Sequence, residues 1–146
     1  MTHRVLVVDD HPVVVDGVRQ ALRAHPSFDV VGAAGDRDSA LRLVGELQPH
    51  IVLLDLCLGG LLVPDLCRAV VRTAPSARVL LHTAFHEYEP LQACLDAGAV
   101  GVVFKDGRDL VRALHSVAAG KAFMQPVTQR RGEVPGSPAD ASSWPR

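Results

Sequence analysis

"HIVLLDLCLGG", residues 50–60, decides how the chain folds. Ile51 to Leu54 form an unbroken aliphatic run, the pattern of a strand covered on both faces rather than one. Asp55 follows at once, and Gly59 and Gly60 come soon after. A carboxylate at the end of a buried strand is costly unless another group compensates its charge.

Similar short runs recur as "VLVV" (5–8), "VVGAA" (30–34), "VLL" (79–81) and "VGVVF" (100–104). Their length and β-branched content predict strands. Helical stripes lie between them: Val14, Val18 and Leu22; Ala40, Val44 and Leu47; Leu91, Leu95 and Gly98; Leu110, Leu114 and Val117. The third helix falls between Pro64 and Pro75. Pro12 suits a first helical turn, Asp36 or Asp38 caps the second helix, and Gly98 and Gly120 end the last two. Strand and helix alternate through about 120 residues, which implies a parallel sheet with helices on both sides. The expected fold is α/β: a doubly wound, five-stranded parallel sheet of order 2-1-3-4-5, flavodoxin-like. Ligands in such sheets sit beyond the carboxyl ends of the strands, here near the switch between the first and third.

We expect one domain over residues 1–124. From 125 to 146 the chain turns rich in Pro, Gly, Ser and charge without apolar period, and reads as a disordered tail or truncated linker, with Trp144 solvated. The net charge of −1 supplies no general field for nucleic acid or anionic lipid. The opening "MTHRVLVVDD" has too short an apolar run for a signal peptide or membrane span. Cys57, Cys67 and Cys94 form no CxxC pair, so they read as reduced thiols in a cytoplasmic setting rather than as zinc ligands or disulfides.

The strand ends carry the chemistry. The first strand delivers Asp9 and Asp10, the third Asp55, the fourth Thr83 and the fifth Lys105. Three crowded carboxylates repel one another, and a hard divalent cation relieves them. Oxygen ligands with room for waters point to Mg²⁺. With Lys105 as a second cationic centre, the cleft suits a phosphoryl group attacked by an oxygen of Asp55. An aspartate-nucleophile phosphohydrolase commonly has a second Asp two residues on, where this chain has Cys57. A dinucleotide enzyme would need a GxGxxG after the first strand, and none is there. We therefore expect no enzyme of either kind.

"VLVVDDHP", "IVLLDL", "HTA" and "GVVFKD" together resemble the receiver domain of bacterial two-component response regulators, over residues 3 to 122. "KDG..DLVRALHSVAAGKAFMQP" is similar to receivers that precede a LuxR-type helix-turn-helix. The resemblance implies that Asp55 is the phosphoacceptor and that a sensor histidine kinase is the donor. It implies that Asp10 and, partly through water, Asp9 bind Mg²⁺ with the main-chain carbonyl of Cys57. Thr83 and Lys105 would then hold the phosphoryl group. Output would run to a partner or a helix-turn-helix domain and bear on transcription. A homodimer would use the fourth helix, fifth strand and fifth helix, or the first and fifth helices. By itself this chain is not expected to bind nucleic acid or a membrane.

The chain departs from the pattern in two places. Val102 stands where the family has an aromatic, three residues before the lysine. Phe104 lies on the same face one step nearer, so both switch positions are left open, and a receiver-like interaction module that works without phosphorylation is the alternative. The loop "CLGGLLVPD" has Gly59 where many receivers have proline, and glycine permits unusual dihedrals there. Leu61, Leu62 and Val63 either pack under the third helix or face a partner. His11 is read as a loop residue near the site. His82 is expected to face away from Thr83, and His86 and His115 to lie on solvated helix surfaces.

Overall fold

The structure, a computed structural model, describes residues 2–59, 61–62, 64–84, 88–106 and 108–125. In chain order its elements are β1 (His3–Val8), α1 (Pro12–Leu22), β2 (Phe28–Ala34), α2 (Arg37–Leu47), β3 (Ile51–Leu54), β4 (Cys57–Leu58) and β5 (Leu61–Leu62). There follow α3 (Pro64–Thr73), β6 (Arg78–Thr83), α4 (Tyr88–Asp96), β7 (Gly101–Phe104), α5 (Leu110–Ala118) and β8 (Phe123–Met124).

The main sheet is parallel with order β2-β1-β3-β6-β7-β8. Its first five strands keep the expected order. Two features correct the five-strand reading: β8 adds a sixth strand beside β7, and β4 and β5 form a separate antiparallel ribbon. Each added strand has two residues, too short to leave a periodic signature.

Alternation along each strand divides the core into two layers. Leu6, Val8, Val52, Leu54 and Leu81 pack against Ala40 and Val44 of α2, Leu66 and Val70 of α3, and Leu91 of α4. Val5, Val7, Ile51, Leu53 and Leu80 pack on the other side against Val18 and Leu22 of α1 and Leu110, Leu114 and Val117 of α5. Every residue of β3 is buried, as its unbroken aliphatic run requires. Fully burying one such side chain contributes roughly 1.5–3 kcal/mol, so the central strands fix the register of the carboxyl ends that follow them.

Local signals set the helix limits. Pro12 opens α1. Asp36, not Asp38, caps α2, accepting from the Ser39 amide at 2.8 Å. That helix ends at Gln48, in the left-handed region at φ 44°. The Arg4 guanidinium donates to the Leu47 and Gln48 carbonyls there, a cation meeting the negative end of the helix. Gly98 and Gly120 have φ of 122° and 85° and follow α4 and α5 as expected.

Cys57, Cys67 and Cys94 are unpaired. Burial pushes the Cys67 thiol up to about 11 and Cys94 up to about 12, which keeps both unreactive. His115 is exposed on α5, with its ring edge-on to Phe28 at 4.9 Å. His86, Val63, Trp144 and the expected tail from 126 lie outside the described residues, as do the side chains of Leu61 and Leu62. Among the described residues, no helix is long and apolar enough to cross a membrane.

Candidate functional site

The carboxyl ends of β1, β3 and β7 bring their polar residues together. The Lys105 Nζ stands 2.7 Å from Asp9 Oδ2 and 3.0 Å from Asp55 Oδ2. It donates a well-formed hydrogen bond to Asp55. The approach to Asp9 is a charge contact outside hydrogen-bond geometry, which leaves that buried oxygen without a directed donor. Asp9 and Asp55 are each 4% exposed, whereas Asp10 is exposed. Asp10 Oδ2 accepts from the Gly59 amide at 2.9 Å. Gly59 has φ 58°, a conformation that suits glycine, and its amide ties this point of the altered loop to Asp10.

His11 is closer to the chemistry than a loop neighbour need be. Its Nδ1 lies 2.9 Å from Asp9 Oδ1, 3.0 Å from Asp10 Oδ1 and 4.0 Å from Asp55 Oδ2. The Asp9 hydrogen bond and the nearby Asp10 charge raise its pKa. One ligand atom from each of Asp9, Asp10, His11 and Asp55 falls within 4.8 Å of the others.

The two buried acids differ in their compensation. At an effective dielectric of 20, one contact near 3 Å is worth roughly 6 kcal/mol, similar to the several kcal/mol that burying an ion costs. Asp9 has Lys105 on one side and His11 on the other. Burial pushes its pKa up, but those partners outweigh it and leave the carboxyl below the usual value. Asp55 keeps Lys105 and a long 3.4 Å bond from the Cys57 amide. There burial prevails, helped by the Asp9 charge, and the pKa is raised despite Lys105. Burial works against the Lys105 charge, but Asp9 and Asp55 together raise its pKa. Three carboxylates around one ammonium leave net negative charge. The undirected Asp9 oxygen and the hard oxygen donors fit a divalent cation.

Thr83 ends β6 at 1% exposure, and its carbonyl accepts the Lys105 amide at 2.8 Å. This bond seats the lysine backbone beside the end of β6. His82 is buried one step earlier, on the opposite face from Thr83 by strand alternation, as expected. Val102 and Phe104 are both buried in the layer under α2, α3 and α4, so they do share a face.

Gln125 falls at the start of the expected tail, yet it is 8% exposed and bonded to both neighbours of Lys105. A polar residue at the start of a Pro- and Ser-rich stretch carries no local sign of such burial.

A parallel α/β sheet with two buried acids, an exposed third and a lysine at its carboxyl edge defines a class built to handle a charged group there. Residues 5–115 match the response regulator receiver domain family, and the chain belongs to it. It is 36% identical over 145 residues to the nitrate/nitrite response regulator protein NarP of Escherichia coli (strain K12), covering 96% of this chain and 67% of NarP. It is 37% identical over 123 residues to the DNA-binding transcriptional activator DevR/DosR of Mycobacterium tuberculosis, covering 83% of this chain and 57% of that protein. A crystal structure of a LuxR-family two-component response regulator from Aurantimonas sp. SI85-9A1 superposes with a TM-score of 0.80 at 35% identity, over 86% of this chain and 91% of that one. The chain is a receiver domain of two-component signal transduction, of the LuxR-type subclass.

Proposed function

We propose that Asp55 accepts the phosphoryl group, with a sensor histidine kinase as donor and Mg²⁺ as cofactor. The observation that carries this reading is the Lys105 ammonium shared between Asp9 and Asp55, 2.7 and 3.0 Å away, with Asp10 alongside. Asp55 is the less compensated buried acid, so it has the most to gain from a cation beside it. Asp10, Asp9 and the Cys57 carbonyl would hold Mg²⁺, which when bound supplies neutralisation of the phosphoryl charge. An Asp55 oxygen forms the new bond to phosphorus as the donor's phosphorus–nitrogen bond breaks in line. Lys105 turns from Asp9 toward the transferred oxygens, and Thr83 donates its hydroxyl to them.

Output is proposed to pass from the α4, β7 and α5 surface, or from α1 and α5 in a homodimer. It would reach a partner or a helix-turn-helix domain that acts on transcription in the cytoplasm. The chain, with a net charge of −1, is not proposed to bind nucleic acid by itself. Residues 1–124 would be the receiver and the rest a linker. An interaction module independent of phosphorylation has Val102 in its favour, but leaves the clustered acids and lysine without a use. Incubation with acetyl phosphate and Mg²⁺ should add one phosphoryl mass, which Asp55→Asn or a chelator abolishes. Failure to gain that mass under both acetyl phosphate and a competent kinase refutes the proposal.

A further inference from the structure

The contacts of Gln125 extend the proposed function to a residue outside the acid cluster. β8 runs parallel to β7, pairing Phe123 with Gly101 and Met124 with Val102. The Gln125 amide then donates to the Val102 carbonyl at 3.0 Å. In a regular parallel ladder the next bond would join the Phe104 amide to the main-chain carbonyl of residue 125. Here the side chain takes that place: Gln125 Oε1 accepts from the Phe104 amide at 2.8 Å. The same side chain donates from Nε2 to Asp106 Oδ2 at 2.9 Å. Asp106 is held further by the Arg108 amide at 3.0 Å. One buried carboxamide thus grips the residues on either side of Lys105, while Thr83 holds the Lys105 amide itself. Directed hydrogen bonds in such a buried setting are strong and geometrically exacting.

We propose that Gln125 is a positioning residue that sets the backbone of Lys105 for phosphoryl transfer, and that this grip couples the phosphoacceptor site to the end of β8. The inference rests on the proposed role of Asp55. Coupling is reciprocal, so a change of Lys105 from Asp9 toward a phosphoryl group also loosens or tightens residue 125. Val102 is not aromatic, and this route needs no aromatic at that position.

The test is a charge swap in the full chain. In Gln125→Glu one carboxylate oxygen still accepts from Phe104, but the other faces the Asp106 carboxylate. In Gln125→Glu with Asp106→Asn, the new amide donates to Glu and the grip is restored. With acetyl phosphate and Mg²⁺, Q125E should lower the maximal phosphorylation rate about tenfold at an unchanged half-saturating donor concentration. Amide exchange at Phe104 and Lys105 should quicken by about the same factor, and D106N should restore both quantities. A wild-type rate in Q125E, unchanged exchange at Lys105, or a defect that D106N leaves unrepaired overturns the inference. Exchange is read without any phosphoryl donor. If the parent chain takes up no phosphoryl group, the reading of Asp55 fails, and quickened and repaired exchange, or its absence, still decides the grip on Lys105.

Discussion

His82→Leu tests the burial beside the site through pH. The imidazole is 7% exposed, and burial, with the Lys105 charge nearby, holds its pKa down to about 4 from an ordinary 6.5. For a base, a depressed folded pKa means that the fold prefers the neutral ring. The stability this contributes is present above pH 6.5 and is lost as pH falls toward 4, because the unfolded chain binds a proton that the fold refuses. At 1.36 kcal/mol per unit, the gap of roughly 2.5 units amounts to about 3 kcal/mol when fully developed. By about pH 4.5 roughly 2 kcal/mol of it is lost. The carboxylates titrate in both proteins, so they cancel in the comparison. Urea unfolding followed by far-UV circular dichroism at about pH 7.5 and 4.5 should show the parent losing about 2 kcal/mol more than His82→Leu. Equal losses in the two proteins would mean that the ring is protonated in the folded state, and the reasoning fails.

Three further outcomes follow from the site and the sheet edge. In metal-free buffer at neutral pH, Asp55→Asn should raise the urea midpoint and Asp9→Asn should lower it. A raised carboxyl pKa marks an ion that costs stability above pH 3.8, whereas a lowered one marks an ion whose stabilisation is lost only as pH falls. Mg²⁺ at a hundredfold excess over its dissociation constant should stabilise the fold by about 2.7 kcal/mol in thermal melts, an effect that Asp10→Ala or a chelator removes. Gly101→Ala should cost about 1–3 kcal/mol and expose the Gln125 amide to exchange, because its Cβ would stand 2.4 Å from the Phe123 carbonyl oxygen.

Much of this was open to reading in the chain. The run Ile51–Leu54 can lie only between two helical layers, and the other runs repeat its logic. Strand order then places Asp9, Asp55, Thr83 and Lys105 at one edge, so the acid cluster followed from topology. The two-residue strands β4, β5 and β8 were invisible, because hydrophobic period needs length. His11 carries one local sign of its role, its place directly after two acids. Gln125 offered no comparable sign, since its burial depends on an amide and a carboxylate 21 and 19 residues earlier in the chain.

The residues alone determined the layered sheet and the identity of the groups at its edge, because apolar period and strand order are properties of neighbours along the chain. Only the tertiary structure decided which acid is well compensated and which is not. Lys105 meets a carboxylate 50 residues away, and His11 stands 2.9 Å from Asp9 but 4.0 Å from Asp55. Charge compensation is summed over everything within a few ångströms, whatever its distance in sequence, and that sum exists only once the chain has folded.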